Sequence, residues 1–352
     1  MISARMLAVI TTASCALAAC SGDSTAEPKS VTLVAYSSFP TDADNPAVIA
    51  LNEFTQQTGI EVEILIAGDT GTMLSKATLT AGNPEGDVMW GVDNSFLSQA
   101  IDAQIFDAYQ ADGLDHVPEQ LTELVPGGEA TPVDYGDVCV NYDIAALTAD
   151  RLAPPTSFAD LAKPEYASRL VVQNPATSSP GLAFLLATVA KFGEDGWEAY
   201  WSMLTENGVL VVDDWEPAYY EEFSRAGGSK PLVVSYGSSP PFEVLYAAEP
   251  LTEAPTGVVE ATCFRQVEFA GVLRGTDAPN GARMLVDFLV SERFQKEIAL
   301  NLFVFPVNQN VALDQVFVDY ATIPNEPLSL DPAKIEQNRA DWIDRWTTIV
   351  AK

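Results

Sequence analysis

Residues 31–66 read VTLVAYSSFPTDADNPAVIALNEFTQQTGIEVEILI, and this stretch decides the fold class. The run at 31–36 is apolar and of strand length. Asn45 can cap a helix with its side-chain oxygen, and Pro46 suits the first helical position, where no N–H is needed. Val48, Leu51 and Phe54 then recur at helical spacing through 47–57, and Gly59 supplies the stop. Ile60, Val62, Ile64 and Ile66 alternate as the residues of a half-buried strand do. Strand, helix and strand in succession predict an open α/β sheet.

The same rhythm continues outward. The spacing predicts a helix at 72–81 and a strand at 88–90, then strands at 170–172, 209–212 and 232–236. Helices are expected from Ser179-Pro180 to near Gly193, from Glu216, at 280–290, at 291–300 and at 331–350. In open α/β sheets, ligands sit beyond the carboxyl ends of the strands. The turns at those ends are rich in hydroxyl and aromatic residues, as in Tyr36-Ser37-Ser38-Phe39 and Tyr236-Gly237-Ser238-Ser239-Pro240. They are candidate contacts for polar or anionic ligand groups.

The 352 residues carry 18 Lys+Arg against 49 Asp+Glu, a formal charge of −31, which argues against a polyanionic partner such as nucleic acid. With 47% hydrophobic residues the chain can build a large core, and its length suits two domains. Its one histidine, His116, lies in a polar, turn-like context and is expected at the surface, which restricts histidine-based catalysis and zinc chemistry. No Gly-x-Ser-x-Gly elbow, Walker A loop or Gly-x-Gly-x-x-Gly fingerprint is present. The chain reads as a binder before it reads as an enzyme.

At the N-terminus Arg5 precedes an apolar stretch from Met6 to Ala19, the pattern of an export signal too short to span a membrane comfortably. Leu17-Ala18-Ala19-Cys20 resembles a lipoprotein box, with 1–19 removed, Cys20 lipidated, and 20–30 left as a polar tether. An ordinary secretory signal cut nearby is the alternative.

From Val31 onward the chain resembles the thiamine-binding proteins of bacterial ABC importers, a branch of the type II periplasmic binding proteins. The resemblance rests on Tyr36-Ser37-Ser38-Phe39, Asp87 to Asn94, Pro132-Val133-Asp134-Tyr135-Gly136, Thr177 to Leu182, Asp214 to Tyr219, Ser235 to Pro240 and Phe305-Pro306-Val307, in that order. It implies two α/β lobes with a ligand cleft between them: lobe one from 31–136 and 266–330, lobe two from 137–265, and a C-terminal helix at 331–352. It also implies no catalysis, no cofactor and no metal, and a monomer. Thiamine, its monophosphate or its diphosphate would be the ligand, and an ABC permease with its ATPase the partner, reached from the membrane through the lipid anchor on Cys20.

Carried over by position, the ligand contacts fall on Tyr36, Asp69, Thr70, Ser178, Ser179, Trp215, Tyr236, Gly237, Ser238, Ser239 and Pro240, with Phe242 and Phe303 standing where relatives often carry Tyr and Trp. Trp215 and Tyr236 would offer faces to a cationic thiazolium, Asp69 a charge, and Ser178-Ser179 a helix start for a phosphate. Read without the resemblance, Trp215 is equally a half-buried core residue and Ser179-Pro180 a helix cap. With Cys15 removed and Cys20 lipidated, Cys139 and Cys263 remain as an even pair in an oxidising compartment. The family's crossing segments would place them side by side, which implies a disulfide. Two rivals stand beside this reading: a ferric-ion binder using Tyr219 and Tyr220, and a hydrolase or transferase using Asp69, Ser178 and Tyr236, for which no His or Lys base is visible.

Overall fold

The computed structural model describes residues 28–351, so the export signal and Cys20 lie outside the described residues. The strands are β1 (Ser30–Ala35), β2 (Glu61–Ile66), β3 (Val88–Asp93), β4 (Phe106–Asp107), β5 (Thr131–Asp143), β6 (Leu170–Gln173), β7 (Leu210–Val212), β8 (Leu232–Tyr236), β9 (Thr256–Leu273) and β10 (Phe305–Pro306). They form one mixed sheet in the order β2-β1-β3-β9-β5-β8-β6-β7, with β4 beside β9 and β10 beside β5. β1 is parallel to β2 and β3 in one half, and β6 is parallel to β7 and β8 in the other. Two long antiparallel strands, β5 and β9, pair with each other between the halves and carry the chain across and back. This is the two-lobed α/β fold. Ser30, expected as the last residue of a polar tether, is instead the first residue of β1 and pairs with Glu61.

Local sequence explains the first unit. Asn45 Oδ1 accepts from the Ala47 amide, Pro46 opens the helix Pro46–Thr58, and Gly59 closes it at φ 75°, a left-handed conformation that glycine adopts without cost. The helix buries Ala47, Ala50, Leu51 and Phe54 in the core of the first half, packing on β2 and the helix Glu292–Leu302, with Phe54 against Phe288.

The second half is held by an aromatic core. The helix Trp197–Glu206, which sequence reading passes over, buries Trp197, Tyr200, Trp201 and Leu204 at i, i+3, i+4 and i+7. The helix Pro332–Val350 packs Trp346 edge-on to Trp201 at 5.4 Å, while its Arg339 donates to Ser95 O and Ser98 Oγ in the first half. The last helix therefore straps the two halves together.

Cys139 on β5 is joined to Cys263 on β9 by a disulfide, at the irregularity where the register shifts between Val138 and Val140. The bond fastens the crossing strands to each other.

Candidate functional site

A cavity enclosing about 820 Å³ of free space, its mouth included, lies where strands of both halves end. From the first half come Tyr36 and Ser37-Ser38 after β1, and Asp69 with Thr70 at the start of the helix Thr70–Leu79. From the second come Ser179 and Pro180 at the start of the helix Ser179–Phe192, Trp215, Tyr219 and Tyr220, and Tyr236, Ser239 and Phe242 around the end of β8. Glu268 on β9 and Asn301 to Val304 complete it.

Asp69 ties the halves together across this cavity. Its Oδ1 caps its own helix by accepting from the Thr70 amide at 2.7 Å and is reached by the Ser179 amide at 3.4 Å, while Oδ2 accepts from the Trp215 amide at 3.4 Å. Gly71 permits this approach: its amide donates to Thr177 O, and a Cβ there would stand 2.3 Å from Ala176 O. Burial pushes the Asp69 carboxyl up from its ordinary range, against the lowering effect of the Ser178 hydroxyl and of the three amides.

One wall is aromatic. Trp215 stacks on Tyr219, Tyr220 stands edge-on to both, and Phe242 meets Phe303 edge-on at 5.1 Å. Phe303 takes φ 55°, left-handed for a non-glycine residue, and its ring packs against Phe242 and Phe317. Trp215 is fixed in turn by Nε1 donating to Ser235 Oγ, which shares a hydrogen bond with Ser239 Oγ.

The opposite side is acidic. Asp93, buried at the end of β3, accepts from the Ser179 hydroxyl and from Ser95, and burial lifts its carboxyl to about 6. Beneath the cavity Asp134 faces Glu268, and burial raises both carboxyls above their ordinary range. Burial likewise raises the phenols of Tyr36 and Tyr236 and so holds them neutral. Among the described residues no Lys, Arg or His lines the cavity. The arrangement can hold a cation with flat, apolar faces.

The cavity brings together Tyr36, Asp69, Thr70, Ser179, Trp215, Tyr236, Ser239, Phe242 and Phe303 of the residues singled out from sequence. It does not bring in Ser178, Gly237, Ser238 or Pro240. Ser178 is fully buried at the cap position and makes no capping bond with its side chain, so Ser179 and Pro180 lie within the first turn. Gly237 is pinned between Asp137 O and the Thr322 amide, and the Ser238 hydroxyl donates to Phe303 O. The helix expected from Glu216 is one π-type turn, Pro217–Glu222, which turns both Tyr219 and Tyr220 toward the cavity. Glu268 and Asn301 were not singled out. The signal for Glu268 was an acid inside the apolar run from Val267 to Leu273. His116 lies in the short turn Leu114–His116 with its side chain 48% exposed.

Comparison with known proteins bears on this geometry. The family model for bacterial extracellular solute-binding proteins matches residues 84–325. The chain is similar to the thiamine-binding periplasmic protein of Escherichia coli K12, with 29% identity over 92% of this chain and 94% of that one. It is 28% identical to the protein of the same name from Salmonella typhimurium, over 95% of this chain and 97% of the relative. A solved structure titled periplasmic thiamin binding protein superposes with a TM-score of 0.79 at 27% identity, covering 92% of this chain and 96% of that one.

Proposed function

We propose, from the premise that this chain belongs to the bacterial extracellular solute-binding proteins, that it captures thiamine or a thiamine phosphate outside the cytoplasm and delivers it to an ABC importer. One observation carries the reading: the aromatic side chains of Trp215, Tyr219, Tyr220, Phe242 and Phe303 line the same cavity as the carboxyls of Asp69 and Glu268, and among the described residues no basic side chain lines it. A thiazolium gains from ring faces and negative charge together, and an aminopyrimidine from flat contacts and directional hydrogen bonds. The likeness to proteins named for thiamine binding supports the choice of ligand.

The ligand would bridge the two halves, favouring their closed arrangement by its differential affinity. Tyr36, Asp69, Thr70 and Glu268 would engage it from one side, and Ser179, Trp215, Tyr236 and Ser239 from the other. In this reading the protein is a monomer held to the membrane by a lipid on Cys20, and it returns its ligand chemically unchanged to the permease and its ATPase.

The ferric reading has one observation in its favour, since Tyr219 and Tyr220 both line the cavity. Against it, the Tyr219 hydroxyl donates to Glu243 Oε1 at 2.8 Å, and Glu243 is also held by Arg225, so the phenol is stabilised in its protonated form. A thermal-shift panel of thiamine, its two phosphates and ferric citrate, with a visible spectrum of each mixture, tests the proposal. Stabilisation by a thiamine compound without colour is expected; stabilisation by ferric citrate alone, with a visible tyrosinate band, would replace it.

A further inference from the structure

Glu268 and Asp134 are register partners on adjacent antiparallel strands, the two that cross between the halves. Their exposures are 7% and 1%, and burial raises both carboxyls, helped at Glu268 by the neighbouring charge of Asp134, so the pair keeps a proton. Asp134 Oδ2 accepts from Trp90 Nε1 at 3.1 Å, while its buried Oδ1 has no hydrogen-bond partner among the described residues. Glu268 Oε1 accepts from Gln266 Nε2, which also reaches the Tyr236 hydroxyl, and Glu268 lines the cavity. The ionisable groups facing this pair are Asp93 on β3, Asp69 at its helix start, and the phenols of Tyr36 and Tyr236, all anionic or neutral. Among the described residues no cation balances the pair.

We propose that Glu268 is the counter-charge of the bound cation, and that the Asp134–Glu268 pair releases its shared proton to solvent as the cation enters. The inference rests on the reading of the ligand as a thiamine cation. With one shared proton the pair carries one negative charge; with the proton gone and the cation seated, the site again carries one. Charge in the buried site is conserved, and no bond of the ligand is made or broken. Burial holds the proton in the empty site, because two ionised carboxyls in contact repel. The cation supplies what the fold omits.

Calorimetric titration of the wild-type protein with thiamine near pH 7, in phosphate and in Tris, counts the protons. Close to one proton released per thiamine bound is expected, with an affinity that rises as the pH is raised from acid toward neutrality. Glu268→Gln should bind thiamine at least tenfold more weakly and release no proton. Asp134→Asn should leave Glu268 free to ionise, so that release falls while affinity at pH 6 is kept or improved. Equal binding heats in the two buffers, or a folded Glu268→Gln that binds as tightly as the wild type, would overturn the inference while leaving the ligand reading in place. No binding of thiamine by either heat or thermal shift would withdraw the ligand reading, and this inference with it.

Discussion

Trp215 lies flat against Tyr219, with ring centroids 4.9 Å apart and planes inclined by 16°, and its indole N–H is spent on Ser235. The stack holds the indole at the cavity wall. The Trp215 side chain is thus positioned from two directions before any ligand arrives, which limits the ordering cost of binding. A cation on such a face gains ~0.5 to 2 kcal/mol, depending on desolvation. Trp215→Ala should weaken thiamine binding by roughly tenfold or more, and Trp215→Phe by less. Equal affinities of the Ala variant and the wild type in a fluorescence or calorimetric titration would remove the indole from the site.

Asp69 and a phosphate would compete for the same amides, those of Thr70, Ser179 and Trp215. Asp69→Asn keeps an oxygen for the helix cap and removes the charge. Thiamine should then bind roughly tenfold more weakly, given ~1.5 to 3 kcal/mol for a hydrogen bond to a charged group, and thiamine monophosphate should lose less. The ratio of the two affinities is the readout, and an unchanged ratio would show that the carboxylate and the phosphate do not meet.

The buried carboxyls also set the pH dependence of stability. Asp93 at about 6, and the Asp134–Glu268 pair raised by burial, keep protons in the folded chain that an unfolded carboxyl loses near 4. Above the unfolded value the folded state binds more protons, so stability falls as pH rises from about 4 through about 6. The surface carboxyls whose affinity for protons is lowered, such as Glu53 beside Arg293, act below that window. Melting followed by circular dichroism at constant ionic strength should show the midpoint descending across it, and less steeply with thiamine present. A midpoint that climbs with pH would contradict the assignment of protonated buried acids.

The disulfide closes a separation of 124 residues between strands that are already paired. Its removal in a Cys139→Ser, Cys263→Ser variant should cost ~2 to 4 kcal/mol, chiefly by freeing the unfolded chain. Denaturant unfolding measures this, and overlapping curves for variant and wild type would show the crossing strands to be held by their pairing alone.

What could be read from the sequence was local. Asn45, Pro46 and Gly59 carry their helix boundaries in their own chemistry, and the alternation from Ile60 to Ile66 needs no partner to be seen. The resemblance, more than any periodicity, drew attention to Asp69, Trp215 and Tyr236. What escaped was set by distance along the chain. The Asp69 to Trp215 contact spans 146 positions, and the Asp134 to Glu268 pair exists only because β5 and β9 align. Trp197, Tyr200, Trp201 and Leu204 did carry a helical period, but so short an aromatic stretch, opened by Gly196 with no capping side chain, offers little to mark it as a helix. Ser178 and Ser179 show what a local pattern leaves out: a hydroxyl pair before a proline suggests an open anion site, and only the fold shows the Ser179 amide reaching Asp69 and its hydroxyl reaching Asp93.

Whether the acidic, aromatic cavity takes a thiamine cation is decided by calorimetric titration of the mature protein with thiamine at neutral pH. Saturable binding of one thiamine per chain is expected, accompanied by a change in tryptophan fluorescence from Trp215 at the cavity wall. Absence of heat and of any fluorescence change at saturating thiamine would contradict it.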